Sequence, residues 1–148
     1  MRNIQYKHLL VAFTLVLSLC VKVNASPTLS VTDEVIKASI PGSDITAAYM
    51  TIHNDSEQAI SLQKITSPLS DRIEIHQHSM ENGMMRMRQI QSLTIKNKSQ
   101  VVLAPHGLHL MIFGLKKAIT SSDTVPLTLY FSNNTHVKLQ LPVAAYNK

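Results

Sequence analysis

The stretch Arg72-Ile73-Glu74-Ile75-His76-Gln77-His78-Ser79-Met80-Glu81-Asn82-Gly83-Met84-Met85-Arg86-Met87-Arg88-Gln89-Ile90 decides the fold. Asn and Gly tolerate positive φ at both central positions of a turn. A two-residue type I′ hairpin needs that, because its twist matches the flanking strands. Centred on Asn82-Gly83, such a turn pairs Glu81 with Met84, Met80 with Met85, His78 with Met87 and His76 with Gln89. Successive side chains on a strand point to opposite faces, so His76, His78, Met80, Met85 and Met87 share one face. A four-residue loop keeps this parity; a one-residue bulge breaks it.

Outward from the hairpin, the same alternation of short apolar runs and turn residues recurs. Candidate strands are Leu29–Ile36, Thr46–His53, Ala59–Ile65, Arg72–Met80, Met84–Ile90, Gln100–Leu103, Leu108–Phe113, Val125–Phe131 and His136–Leu141, rich in Val, Ile, Thr, Leu and Tyr. Pro41-Gly42-Ser43, Asn54-Asp55-Ser56, Ser67-Pro68, Pro105-His106-Gly107 and Asn133-Asn134 punctuate them. No window of helical length carries a 3.6-residue apolar stripe. These signals predict an all-β chain, an antiparallel sandwich or Greek-key barrel.

The amino terminus reads differently. Arg2 and Lys7 precede a mostly apolar run from Leu9 to Val21, followed by small residues at Val23-Asn24-Ala25. This is the pattern of a secretory signal peptide over residues 1–25, cut after Ala25 and leaving one domain over residues 26–148. Cys20 raises lipid attachment as a rival, but Leu19 is bulky where such sites want a small residue. The apolar run is short for a membrane span, and no later segment approaches one. The leader holds three basic residues (Arg2, Lys7, Lys22) and no acid, so the whole-chain charge of +5 falls to +2 after its removal. Little basic excess is left to argue for nucleic acid or a membrane surface. Cys20 is also the only cysteine. The mature domain therefore has no disulfide, thiolate ligand or cysteine nucleophile.

Chemistry concentrates in residues 76–111. His76 and Met87 are separated by ten residues, Met87 and His109 by twenty-one, His109 and Met111 by one. His109 and Met111, two apart on a strand, point the same way. Imidazole nitrogen and thioether sulfur are donors that copper(I) prefers, whereas calcium and magnesium want oxygen. Two pairs from separate elements could close one four-coordinate site. The other methionines and histidines have plainer expectations: Met50 in the core, Met84 in packing, and His53, His106 and His136 solvated near turns. His78 is expected at the surface or behind the site in preference to serving as an alternative ligand, and Met80 and Met85 are candidates for transient ligation. Arg86 and Arg88 flank Met87 and should face away from it.

The spacing resembles the His-x10-Met-x21-His-x-Met signature of the periplasmic copper(I) chaperone family, PCu(A)C, that serves the copper A centre of cytochrome c oxidase. The likeness extends to Ala48-Tyr49-Met50-Thr51, Ser67-Pro68, Glu74-Ile75-His76, Asn82-Gly83, Met85-Arg86-Met87 and Gly107-Leu108-His109-Leu110-Met111 with Gly114-Leu115-Lys116-Lys117, from about residue 28 to 143. The resemblance implies a cupredoxin-like β-sandwich that holds one copper(I) ion through His76, Met87, His109 and Met111. It further implies a periplasmic carrier, with no turnover of its own, that hands the ion to the oxidase copper subunit or its assembly factors. A copper buffer or resistance protein without dedicated delivery would use the same ligands.

Other functions fit poorly. A blue-copper electron carrier needs a cysteine thiolate between its histidines, and the mature chain has none. No nucleophile elbow, phosphate-cradling glycine loop or close carboxylate pair in an apolar setting points to an enzyme. Trp is absent and aromatic residues are 5% of the chain, too few for base-stacking platforms. No long apolar stripe demands a dimer, so a monomer is expected.

Overall fold

The computed structural model describes residues 28–145; the signal-peptide reading, its cleavage point and Cys20 lie outside them. Ten strands follow one another: β1 Leu29–Lys37, β2 Thr46–Asn54, β3 Ile60–Thr66, β4 Arg72–Glu81, β5 Met84–Ile90, β6 Leu93–Ile95, β7 Ser99–Leu103, β8 Leu108–Phe113, β9 Thr124–Phe131 and β10 His136–Ala144. Nine of these match the expected strands closely. The tenth, β6, is a three-residue strand with Leu93 and Ile95 buried on either side of Thr94, too short for its alternation to stand out in sequence. Among the described residues no helix is long and apolar enough to cross a membrane.

The strands form two layers. One has the order β5-β4-β8-β2-β1, with β7 also bonded to β2; the other has the order β10-β9-β3-β6. The chain changes layer after β2, β3, β5, β6 and β8, as in a Greek-key sandwich. Among the described residues every strand pairing is antiparallel except one: β1 runs parallel to β10, through Ile36 opposite Val143 and Lys37 opposite Ala144. The expected antiparallel sandwich therefore contains one parallel seam, and that seam joins the two layers.

Alternation builds the core. Along β9, Val125, Leu127, Leu129 and Phe131 are buried; Ala48, Met50 and Ile52 of β2, Leu110 and Ile112 of β8, and Leu139 and Leu141 of β10 meet them. Burying each large aliphatic side chain contributes about 1.5–3 kcal/mol before chain entropy is set against it. Met50 is fully enclosed, as expected. Of the buried polar residues among those described, Asn54 is sealed in most completely. The Asn54 amide nitrogen donates to the carbonyls of Gln58, Ile95 and Lys96 at 2.8–3.1 Å, and its oxygen accepts from the backbone and hydroxyl of Ser56. This satisfied side chain fastens the end of β2 to β6.

Two local features shape what lies on the outer face. Asn82 and Gly83 have φ of 52° and 76°, the positive pair of a type I′ turn, and the ladder runs Glu81 with Met84, Met80 with Met85, His78 with Met87 and His76 with Gln89. Beyond it, β7 and β8 bond the same edge of β2, Met50 facing Leu103 and Ala48 facing Leu110. A regular ladder would need one residue where the chain spends several. The excess leaves the sheet as a loop over residues 104–107, closed by Ala104 N–H to Leu108 C=O at 2.7 Å and Gly107 N–H to Ala104 C=O at 3.1 Å. His106 takes φ of 64° within it.

Candidate metal centre

β4 is the middle strand of the site. On one side it pairs with β5, placing His78 opposite Met87; on the other it pairs with β8, placing His76 opposite His109 and Glu74 opposite Met111. Cross-strand partners share a face, so Glu74, His76, His78, Met87, His109 and Met111 all project from the same side. The opposite side of these strands carries Ile75, Leu110 and Ile112 into the core, so the donor-bearing side is the outer face. His76 has a particular position there. It is directly opposite His109 and diagonal to both Met87 and Met111, within the reach that diagonal neighbours give to long side chains.

A cleft of about 400 Å³ opens on this face. His78, Met87, His109 and Met111 line it, with Tyr49 beside them; Pro105 and His106 of the looped-out segment and Ile40 of the β1–β2 connection form its rim. Three of the four expected donors thus border one cleft. His76 stands next to them, its ring centroid 5.9 Å from that of His109 and 5.9 Å from that of Phe113. Accessibility grades across the set: His109 is 6% exposed and Met87 48%.

Hydrogen bonds orient the imidazoles. His109 Nδ1 donates to the Gly107 carbonyl at 3.2 Å; a carbonyl only accepts, so Nδ1 carries the proton and Nε2 the lone pair. Burial is the largest influence on this ring and lowers its pKa, with the charges of His78 and His76 acting in the same direction. Neutral imidazole with a free nitrogen is the ligating form. His76 Nε2 donates to Glu74 Oε2 at 2.7 Å, and Arg72 Nε holds the other carboxylate oxygen at 2.7 Å. These two bonds, His76 first, hold the Glu74 carboxyl below its ordinary pKa. The Arg72 guanidinium in turn lies 4.2 Å from the centre of the Phe113 ring. His76 Nδ1 is left buried with no partner, and so is His78 Nδ1. An unpaired buried polar atom costs about 1–3 kcal/mol. Two such nitrogens on one face of β4 fit lone pairs kept for an ion, and a carboxylate behind a ligating histidine is a common metal-site support. Among the described residues no three His, Cys, Asp or Glu groups are set to hold a metal together; the further donors bordering this cleft are thioethers.

Several expectations change in detail. His78, expected at the surface or behind the site, is on the cleft wall, with its ring 5.1 Å from His109 and 6.4 Å from His106. Met84 does not pack; it is exposed with Met80 and Met85 at the end of the hairpin, which runs past the sandwich. His53 Nε2 pairs with Thr32 Oγ1 at 3.0 Å. Arg86 and Arg88 do face away from Met87, where both reach Glu81. Sequence reasoning missed Glu74 as a support, although its i, i+2 spacing from His76 on a strand was a usable signal. Nothing in the sequence marked the Gly107 carbonyl.

A ten-stranded β-sandwich with imidazoles and thioethers grouped on one outer face defines a cupredoxin-like domain suited to a soft metal ion. The sequence profile of the LpqE-like family, described as "Putative lipoprotein LpqE-like", matches residues 29–143. The chain belongs to this LpqE-like (PCuAC) family. It is 28% identical over 107 residues to "Putative lipoprotein Lxx21020" of Leifsonia xyli subsp. xyli, covering 72% of this chain and 64% of that protein. It is also 28% identical over 106 residues to "Uncharacterized protein RP573" of Rickettsia prowazekii, covering 69% and 59%. The chain therefore spans less than two thirds of the length of these curated relatives. Among solved structures, the copper-bound PCuAC domain of PmoF2 superposes with a TM-score of 0.70 at 18% identity, over 82% of this chain and 97% of that one. Copper(I)-loaded DR1885 of Deinococcus radiodurans gives a TM-score of 0.64 at 28% identity, over 82% and 80%.

Proposed function

We propose that this protein is an extracytoplasmic copper(I) carrier that holds one ion through His76, Met87, His109 and Met111 and delivers it to copper-site assembly of cytochrome c oxidase. One observation carries the reading: β5, β4 and β8 set His76 directly across from His109 and diagonal to both thioethers. Copper(I) binding by DR1885, a relative with the same fold, supports the choice of ion. Two neutral sulfurs favour the reduced ion over copper(II). Thioethers also suit an oxidising compartment, where a thiolate carrier would risk disulfide formation. The half-exposed Met87 gives an acceptor a donor atom to displace first, as delivery requires and turnover chemistry does not. The leader places the domain outside the cytoplasmic membrane. The lipoprotein names of the family and of the Leifsonia protein keep lipid attachment at Cys20 as the rival to release after Ala25, with the bulky Leu19 standing against it, and mass spectrometry of the processed amino terminus separates the two.

Met87→Leu/Met111→Leu keeps side-chain volume close while removing both sulfurs. The double variant should fold as the parent does and lose copper(I) to a chelator that the parent resists. Parent-like retention would refute the assignment. Mixing the loaded parent with an apo oxidase copper domain should transfer the ion, read by absorbance of the acceptor; complete retention would instead indicate a copper buffer.

A further inference from the structure

We propose that His78 is a fifth copper donor, and that the ion moves between a closed donor set completed by His76 and an open set completed by His78. This rests on the copper(I) reading above and deepens it. The two histidines are two apart on β4 and project from the same face, so both stand against a shared group of donors. His76 faces His109 directly; His78 faces Met87 directly and is diagonal to His109. Each can therefore join Met87 and His109 without any change of strand register.

Their surroundings differ in the way an exchange needs. His76 is tethered through Nε2 to Glu74 at 2.7 Å, beside Phe113, and is not part of the cleft wall. His78 lines the cleft with Met87, His109 and Met111 and has no side-chain tether; its Nδ1 is buried and bonded to nothing. One carbonyl couples it to His109. Gly107 C=O accepts from the His78 backbone N–H at 3.3 Å and from His109 Nδ1 at 3.2 Å, which places the two rings 5.1 Å apart, edge to face. The looped-out segment over residues 104–107 thus holds His78 against the most buried donor. His106 extends the line of imidazoles to the rim, 6.4 Å from His78.

The exchange balances simply. One Cu–N bond to His78 forms as the Cu–N bond to His76 breaks, both rings stay neutral, and copper stays Cu(I). In the open set the ion is on the cleft wall, where an incoming ligand can reach it. In the closed set it is behind that wall.

Copper(I) is diamagnetic, so ring nitrogens can be followed by NMR in the intact protein loaded anaerobically with one equivalent. The 15N resonances of His78 should move on loading together with those of His76 and His109; unmoved His78 nitrogens would overturn the proposal. His78→Gln, confined to the closed set, should lose far less copper(I) affinity in bicinchoninate competition than Met87→Leu/Met111→Leu loses, yet release the ion to excess bathocuproine disulfonate about tenfold more slowly, equivalent to about 1.4 kcal/mol of added barrier. Release at the parent rate would overturn the exchange. So would loss of affinity as large as that of Met87→Leu/Met111→Leu, because His78 would then be a resident ligand. Amide pairing between Ser79 and Arg86 checks that the variant is folded, and His78→Ala repeats the test without the amide. If the methionine double variant keeps copper, the carrier reading fails by itself, whatever His78 does.

Discussion

Glu74 shows how one residue tunes another. Its carboxylate bonds His76 on one oxygen and Arg72 on the other, fixing the ring proton on Nε2 and leaving Nδ1 to donate. Glu74→Gln keeps the shape but removes the charge, and should lower copper(I) affinity about 10–100-fold, read by chelator competition, with little change in melting temperature. Asp123, outside the cleft lining, gives a pH counterpart. Its Oδ2 accepts from the Thr120 backbone N–H at 2.7 Å and from the Thr120 hydroxyl at 2.9 Å, and these bonds, backbone first, lower its pKa. The native state then binds fewer protons than the unfolded chain in acid. The contribution is complete above the ordinary carboxylate range and disappears as pH falls through the native value. Asp123→Asn should be less stable than the parent at neutral pH, and the gap in denaturation midpoint should close on acidification.

The β4–β5 hairpin is the element on which the site depends. Its register is set locally, by φ of 52° at Asn82 and 76° at Gly83, and a slip of one residue would turn Met87 to the other face. A Cβ at Gly83 would meet no atom within 4 Å, so substitution there is penalised through backbone conformation alone. Gly83→Val should cost about 1–2 kcal/mol, visible in urea denaturation. It should also weaken copper(I) retention by loosening the Met87 pairing, whereas Gly83→Asn, which accepts positive φ more readily, should do less of both. The hairpin was the most legible part of the chain, because its turn residues and alternation act over a few neighbours. β6 was not, since three residues cannot display a period.

At the scale of the whole molecule, the parallel seam between β1 and β10 holds the two layers together at one end. Ile36 is fully buried there, facing Val143. Ile36→Ala leaves a cavity that the two sheets cannot close, and should cost about 2–5 kcal/mol, measured by thermal denaturation. Copper(I) affinity of the protein that remains folded should be unchanged, because the core side of the sheet and the donor side are separate faces. That outcome would make stability and metal binding separable in this fold, with one layer boundary supporting the first and the proposed donor face of β5-β4-β8 the second.

The amino-acid sequence by itself determined the strand-rich class, the hairpin register and the supply of candidate soft donors, since turn propensity, two-residue alternation and ligand softness are all local properties. The tertiary structure decided which strand became the neighbour of β4. Once β8 was that neighbour, His109 came opposite His76 and Met111 came within its reach. It also decided that residues 104–107 leave the sheet, bringing one carbonyl between His78 and His109. Such contacts join residues about thirty positions apart, and they follow from how two sheets close around a shared core, which no short window of the chain encodes.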